Sequence, residues 1–196
     1  MNLLEITGTV LGVVGVGLMI RQNIWGWPVG LVQVTISAWV FLEARLYSDL
    51  VLQGFFFAIQ AYGWWHWRRG GAVEQPQLPV TRLRPQAIAG WTAVGAAATA
   101  SWGELMRRTT DAALPHWDAF ILMFSVIAQW LQARKRLENW AGWMLVNAVA
   151  VGVYWARDLR WFAALYAGFF GMAVAGHVAW SRSLGKPDGR PEEEQR

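Results

Sequence analysis

The sequence predicts an all-α membrane protein: seven transmembrane helices set out as two parallel three-helix repeats joined by a linker helix. Three observations carry this expectation. Hydrophobic residues make up 55% of the 196 residues and charged residues only 15%, well below the ~25% charge of a soluble domain. Apolar windows of about 17–21 residues recur along the chain, near the ~20 residues that cross a ~30 Å hydrocarbon core. Short matches also recur between the two halves. The 15 Trp depress the mean hydropathy to +0.25, because indole scores poorly on that scale. With no Cys, a disulfide framework, a thiolate metal site and a cysteine nucleophile are excluded.

The windows fall at 3–20, 25–42, 47–67, 86–103, 117–133, 139–156 and 161–180. The first carries Glu5 and has neither a basic leader nor a cleavage pattern, so it reads as a mature span rather than a signal peptide. The fourth, Gln86–Gly103, is mostly Ala, Gly, Thr and Trp, a composition suited to close helix contact. Between the third and fourth, residues 70–85 hold Pro76, Pro79 and Pro85 and read as a flexible linker. The tail from Gly185 is polar and reads as disordered. The expected division is therefore 1–69 for the first repeat, 70–103 for linker and connecting helix, 104–182 for the second repeat and 183–196 for the tail.

Orientation follows from Lys and Arg. With seven spans, the 1–2, 3–4 and 5–6 loops and the C-terminus share twelve of the 17 basic residues, against five on the other side. The expectation is an N-terminus outside and a cytoplasmic C-terminus. The run Arg134-Lys135-Arg136 reads as a membrane anchor, not a nucleic-acid patch.

Asn23-Ile24-Trp25-Gly26-Trp27 matches Asn139-Trp140-Ala141-Gly142-Trp143 at Asn, Gly and the last Trp. Gly54-Phe55-Phe56 matches Gly168-Phe169-Phe170, and Ala44-Arg45 matches Ala156-Arg157, shifts of 112 to 116 residues. Three-helix units joined by one further helix lie parallel, a transporter design with substrate bound between the repeats.

Ionisable residues at mid-membrane depth are expensive and usually functional, and this sequence places none there. Glu5, Glu43, Asp49, Asp118, Glu138 and Asp158 sit near span ends, and Lys135 and Lys186 lie in loops. The three His are too scattered for a metal site. A proton pump, a retinal-type Schiff base and a metal-dependent intramembrane enzyme are disfavoured, and no cofactor or metal is expected. What lies deep is amide and aromatic. Gln53, Gln60 and Trp64 fall within about 40° on one face of the third span. Trp140, Trp143 and Asn147 form a stripe on the sixth; Gln33 on the second, and Asp118 and Gln129 on the fifth, are further candidates. Such a lining fits a flat, amide-bearing heteroaromatic solute, since amides hydrogen-bond neutral polar groups and Trp faces attract a delocalised cation. Each amide has an alternative reading as interhelical glue, and Trp near span ends also suits an interfacial belt.

The second half, with His116-Trp117-Asp118, Ala133-Arg134-Lys135 and Glu138-Asn139-Trp140-x-x-Trp143-x-x-x-Asn147, resembles the PnuC family of nicotinamide riboside transporters. In the first half, Leu46-Tyr47, Leu52-Gln53-x-Phe55-Phe56-Phe57 and Tyr62-Gly63-Trp64 resemble that family's third span. The likeness covers roughly residues 5–182, while the Gly- and Ala-rich seventh span matches less well. The resemblance implies a seven-helix fold related to sugar transporters of the SWEET type, a homotrimer, and facilitated diffusion of nicotinamide riboside through a bacterial inner membrane. It also implies trapping of the cargo by a cytosolic kinase. By position it assigns substrate contact to Gln53, Gln60, Trp140, Trp143 and Asn147. Thiamin or riboflavin is the alternative cargo, and a seven-helix receptor or membrane enzyme the remoter alternative.

Overall fold

The computed structural model describes residues 3–43, 47–70, 78–111 and 113–184. They form seven helices: α1 (Leu3–Ile20), α2 (Gly26–Glu43), α3 (Tyr47–Arg69), α4 (Pro85–Thr109), α5 (Pro115–Ala133), α6 (Asn139–Ala156) and α7 (Arg160–Arg182). Prolines open α4 and α5, where the missing N–H would have no partner in any case. Helix α4 runs six residues beyond the 103 boundary expected from hydropathy. Its last turns are held by Glu104, which pairs with Arg107 and Arg108 three and four residues on, at 2.7 and 2.6 Å. The expected tail, from Gly185, lies outside the described residues.

Six helices close a ring in the order α1, α2, α3, α5, α6, α7 and back to α1, while α4 stands outside and packs on α5. Trp67 near the end of α3 donates its indole N–H to the Ala133 carbonyl at the end of α5 (3.1 Å). Trp180 near the end of α7 donates likewise to Met19 near the end of α1 (3.0 Å). Helices α1, α3, α5 and α7 therefore run the same way.

The two halves of the ring repeat each other at a constant shift of 113 residues. Helix α1 ends with Gln22 N–H bonded to Met19 O (3.0 Å) and Asn23 N–H to Leu18 O (2.9 Å). Helix α5 ends with Lys135 N–H bonded to Gln132 O (3.0 Å) and Arg136 N–H to Leu131 O (2.9 Å). These are paired C-cap bonds that normally place glycine in the left-handed region; here Gln22 (φ 55°) and Lys135 (φ 52°) occupy it. Trp27 meets Trp67 edge-on at 5.4 Å and 83°, and Trp140 meets Trp180 at 5.5 Å and 89°. The register corrects the sequence expectation: Trp27 corresponds to Trp140, not to Trp143, whose counterpart is Gly30. The Ala44-Arg45 match falls outside the described residues.

The described part of the α3–α4 linker is held, not flexible. Thr81 N–H bonds Lys135 O (3.1 Å) and Leu137 N–H bonds Thr81 O (2.9 Å), a short parallel bridge. Leu83 N–H reaches Glu138 Oε2 (3.0 Å), and Arg136 donates to Thr81 Oγ1 (2.9 Å). Val80 and Leu137 are buried beneath this strap beside Trp67. Lys135, only 2% exposed, donates to Leu78 O (2.6 Å) with its ammonium 4.7 Å from the Trp67 ring centre. Burial holds its pKa down to about 8, from an ordinary value of 10.5. Below pH 8 both folded and unfolded chains carry the proton, and the burial penalty is present in full. Between about pH 8 and 10.5 the unfolded chain binds more protons, so stability rises with pH. The gain is at most about 3 kcal/mol, less whatever the Leu78 and Trp67 contacts return to the ammonium. Chemical unfolding in detergent at pH 7.5 and 10 should show this increase, and Lys135→Met should abolish it.

Among the described helices only α7 passes as a span by length and hydropathy together, with Ile6–Ile20 a shorter apolar helix. Trp, Gln and Gly lower the averages of the others. The outer surface tells more: Val10, Val32, Trp39, Phe55, Val94, Leu145, Trp155 and Phe162 are all exposed. Apolar exposure on this scale marks a surface that water does not cover in use.

Candidate functional site

The ring encloses a cavity of about 250 Å³. The indole cluster of Trp27, Trp67, Trp140 and Trp180 packs beneath it, and Met19, Trp140 and Ala173 belong both to that buried cluster and to the cavity wall. Five side-chain amides converge on the space: Gln33, Gln60, Gln129, Gln132 and Asn147. Trp140, Trp143, Tyr166 and Phe169 supply aromatic faces and edges. Among the described residues no Asp, Glu, Lys, Arg or His contributes to the lining, so these side chains offer hydrogen bonds and ring faces but no formal charge.

Of the residues singled out from sequence, Gln60, Trp140, Trp143, Asn147, Gln33 and Gln129 come together here. Gln53, Trp64 and Asp118 do not. Gln53 is half-buried on α3, away from the lining. Trp64 packs against the outside of the indole cluster with Arg68 over its ring at 5.7 Å. Asp118 pairs with Arg157 at 2.7 Å, tying the start of α5 to the end of α6.

Sequence reasoning missed Gln132, Tyr166 and Phe169. Gln132 lies three residues after Gln129, on the same helix face, so its signal was available. Tyr166, Phe169 and Ala173 show that α7 does line the cavity.

The 113-residue correspondence makes the cavity two-sided in chemistry. Gly30 stands where the other half has Trp143, and Gln60 where it has Ala173. Gln60 folds into the space above Gly30 and donates to its carbonyl at 3.3 Å; a Cβ at Gly30 would collide with that amide. In the other half the equivalent positions hold Trp143 and the small Ala173, both in the lining. Likewise Gln129 and Gln132 correspond to Val16 and Met19, and all four line the cavity. A nearly two-fold frame thus carries amides on one element and apolar groups on its counterpart, enough to orient a ligand whose two ends differ. The indole N–H groups of Trp27 and Trp140 are buried without a hydrogen-bond partner, which leaves a donor of the cavity-lining Trp140 unmatched.

The family model for nicotinamide mononucleotide transporters matches residues 2–182, from the first helix to the end of the seventh. The nicotinamide riboside transporter PnuC of Escherichia coli is 26% identical over 204 residues, covering 92% of this chain and 85% of that one. The riboflavin/roseoflavin transporter RibM of Streptomyces davaonensis is 26% identical over 178 residues, covering 90% and 83%. Among solved structures, the crystal structure of the vitamin B3 transporter PnuC matches with a TM-score of 0.73 at 22% identity, over 94% of this chain and 83% of that one. That likeness shows a shared fold. With all seven helices inside the family match, the chain belongs to the nicotinamide mononucleotide transporter family, the multi-pass PnuC-type membrane transporters of vitamins.

Proposed function

We propose that this chain carries nicotinamide riboside across a bacterial inner membrane by facilitated diffusion, for NAD synthesis, with cytosolic phosphorylation trapping the cargo. The observation that carries this reading is the cavity: five amides and four aromatic side chains, with no carboxylate, imidazole, ammonium or guanidinium among the described residues. Amides can read the carboxamide and ribose hydroxyls, and indole faces attract the delocalised pyridinium cation without a counter-ion. Among the described residues the lining holds no carboxylate or imidazole to relay a coupled proton, which favours uniport. The Arg-rich end of the bundle, floored by the four indoles, faces the cytoplasm in this reading. Helices α1–α3 and α5–α7 then act as parallel repeats rocking about the cavity, within a homotrimer.

Riboflavin is the second reading, favoured by the likeness to RibM. The cavity of about 250 Å³ is at the small end for ligand pockets and suits a single pyridinium ring with its ribose better than a tricyclic flavin. Counterflow in proteoliposomes preloaded with unlabelled substrate separates the cargoes. Labelled nicotinamide riboside should accumulate transiently with no ion gradient and with protonophore present. Exchange of riboflavin or thiamin alone would overturn the cargo assignment, and collapse with protonophore would overturn uniport.

Equilibrium binding tests the lining. Gln132→Ala and Asn147→Ala are each expected to weaken binding by about 1–3 kcal/mol, the cost of an unreplaced ligand hydrogen bond. Gln53→Ala should change it by under about 0.5 kcal/mol. A loss at Gln53 equal to that at Gln132 would mean the substrate sits elsewhere on α3.

A further inference from the structure

The seam between α3 and α5 carries a cluster with no counterpart in the equivalent seam between α7 and α1. Near the ends of these two helices Tyr62 stacks on Trp130 (5.1 Å, 17°) and on His66 (5.4 Å, 8°), with Trp65 6.0 Å away. The Arg134 guanidinium lies 5.2 Å from the Trp130 ring centre and 6.0 Å from that of Tyr62. The Arg69 guanidinium lies 5.8 Å from the ring of Trp65, which is exposed. Both arginines are exposed, and neither has a carboxylate partner among the described residues.

The internal repeat supplies a control. At the positions of Tyr62, Trp65, His66 and Trp130, the other seam has Ala175, Val178, Ala179 and Gly17. It keeps arginine at both cationic positions, Arg182 for Arg69 and Arg21 for Arg134. Helix contact of this kind is therefore satisfied by small apolar side chains, and basic anchoring by arginine alone. The four rings are an addition to one seam.

We propose that the α3–α5 seam binds the headgroup of an anionic phospholipid, with its phosphate held between Arg69 and Arg134. Guanidinium takes phosphate oxygens in a two-pronged hydrogen bond, and stacking on rings leaves that fork free to face outward. Trp and Tyr are the residues that occupy the headgroup level of a bilayer, and basic pockets between helices are known forms of anionic-lipid site. The surface below favours a lipid over free phosphate. Gly54 and Ala58, eleven and seven residues before Trp65, continue its stripe along α3 and are exposed, with open space where a Gly54 Cβ would stand. An acyl chain can lie along that smooth strip.

Native mass spectrometry of the full chain from nanodiscs containing phosphatidylglycerol and phosphatidylcholine tests the site. One phosphatidylglycerol per chain should survive activation that strips phosphatidylcholine. Arg134→Gln and Arg69→Gln should each lower its retention about fivefold, while the mirror variants Arg21→Gln and Arg182→Gln leave it unchanged. Tyr62→Leu with Trp65→Leu, arginines intact, should also release it. Equal loss in both seams would reduce the effect to general attraction by basic residues and overturn the site. Retention despite loss of the rings, or equal retention of the neutral lipid, would overturn it too. Displacement by millimolar glycerol phosphate would make it a soluble-phosphate site instead. Circular dichroism melts of each variant separate lipid loss from misfolding.

Discussion

Trp140→Ala is expected to lower stability by about 3–5 kcal/mol, the range for truncating a large buried aromatic, and to abolish saturable substrate binding. Trp140 is 1% exposed, meets Trp180 edge-on at 5.5 Å, covers Gly176 and lines the cavity. Its removal opens a void in the floor and takes away one of two indole faces available to a ligand. The indole N–H has no partner in the fold, so no internal hydrogen bond is lost and the stability change reports packing alone. Trp161, 87% exposed, is the comparison: Trp161→Ala should change stability by under about 0.5 kcal/mol. Urea or thermal unfolding in detergent gives both values, and titration with labelled substrate gives the binding. Retained affinity in a folded Trp140→Ala protein would remove this residue from the site and shift attention to Trp143.

The helices were readable because apolar windows bounded by charge and proline are local properties of the chain. Their extents were less so. Glu104, Arg107 and Arg108 look like loop charges in a hydropathy window, yet their i,i+3 and i,i+4 pairing carries α4 onward to Thr109. The strap was invisible for a related reason. Residues 70–85 read as a proline-containing flexible linker, and Val80 becomes core only because Leu137 and Trp67 arrive from distant parts of the chain.

Placement of the site was partly legible in the same sense. A helical wheel groups Gln53, Gln60 and Trp64 by angle, but the angle does not say where along the axis the cavity lies. Gln53 is seven residues from Gln60, about 10 Å along α3, and falls outside the lining. The repeat shows the opposite failure. A chance Asn-x-x-Gly-Trp match pulled the register to a shift of 116. The true shift of 113 is set by Trp27 and Trp140 each covering a glycine, Gly63 and Gly176, and those contacts are separated by 36 residues in sequence in both halves.

Those two glycines supply the other large effect. A Cβ at Gly63 would stand 2.5 Å from the Trp27 ring, and one at Gly176 would stand 2.6 Å from the Trp140 ring. Neither indole can step back, since Trp27 is pinned edge-on by Trp67 and Trp140 by Trp180. Gly63→Ala and Gly176→Ala should therefore each cost about 1–3 kcal/mol of stability through overpacking. Their effects on substrate should differ. Trp27 is absent from the cavity wall and Trp140 is part of it, so displacing Trp140 moves a surface the ligand touches while displacing Trp27 moves only the packing beneath. Gly176→Ala is expected to weaken binding about tenfold, equivalent to roughly 1.4 kcal/mol, and Gly63→Ala to leave affinity within about twofold. Unfolding and substrate titration on the same two preparations give all four numbers. Equal losses of affinity would mean that the indole cluster responds as one unit and that both halves of the repeat form the floor on equal terms.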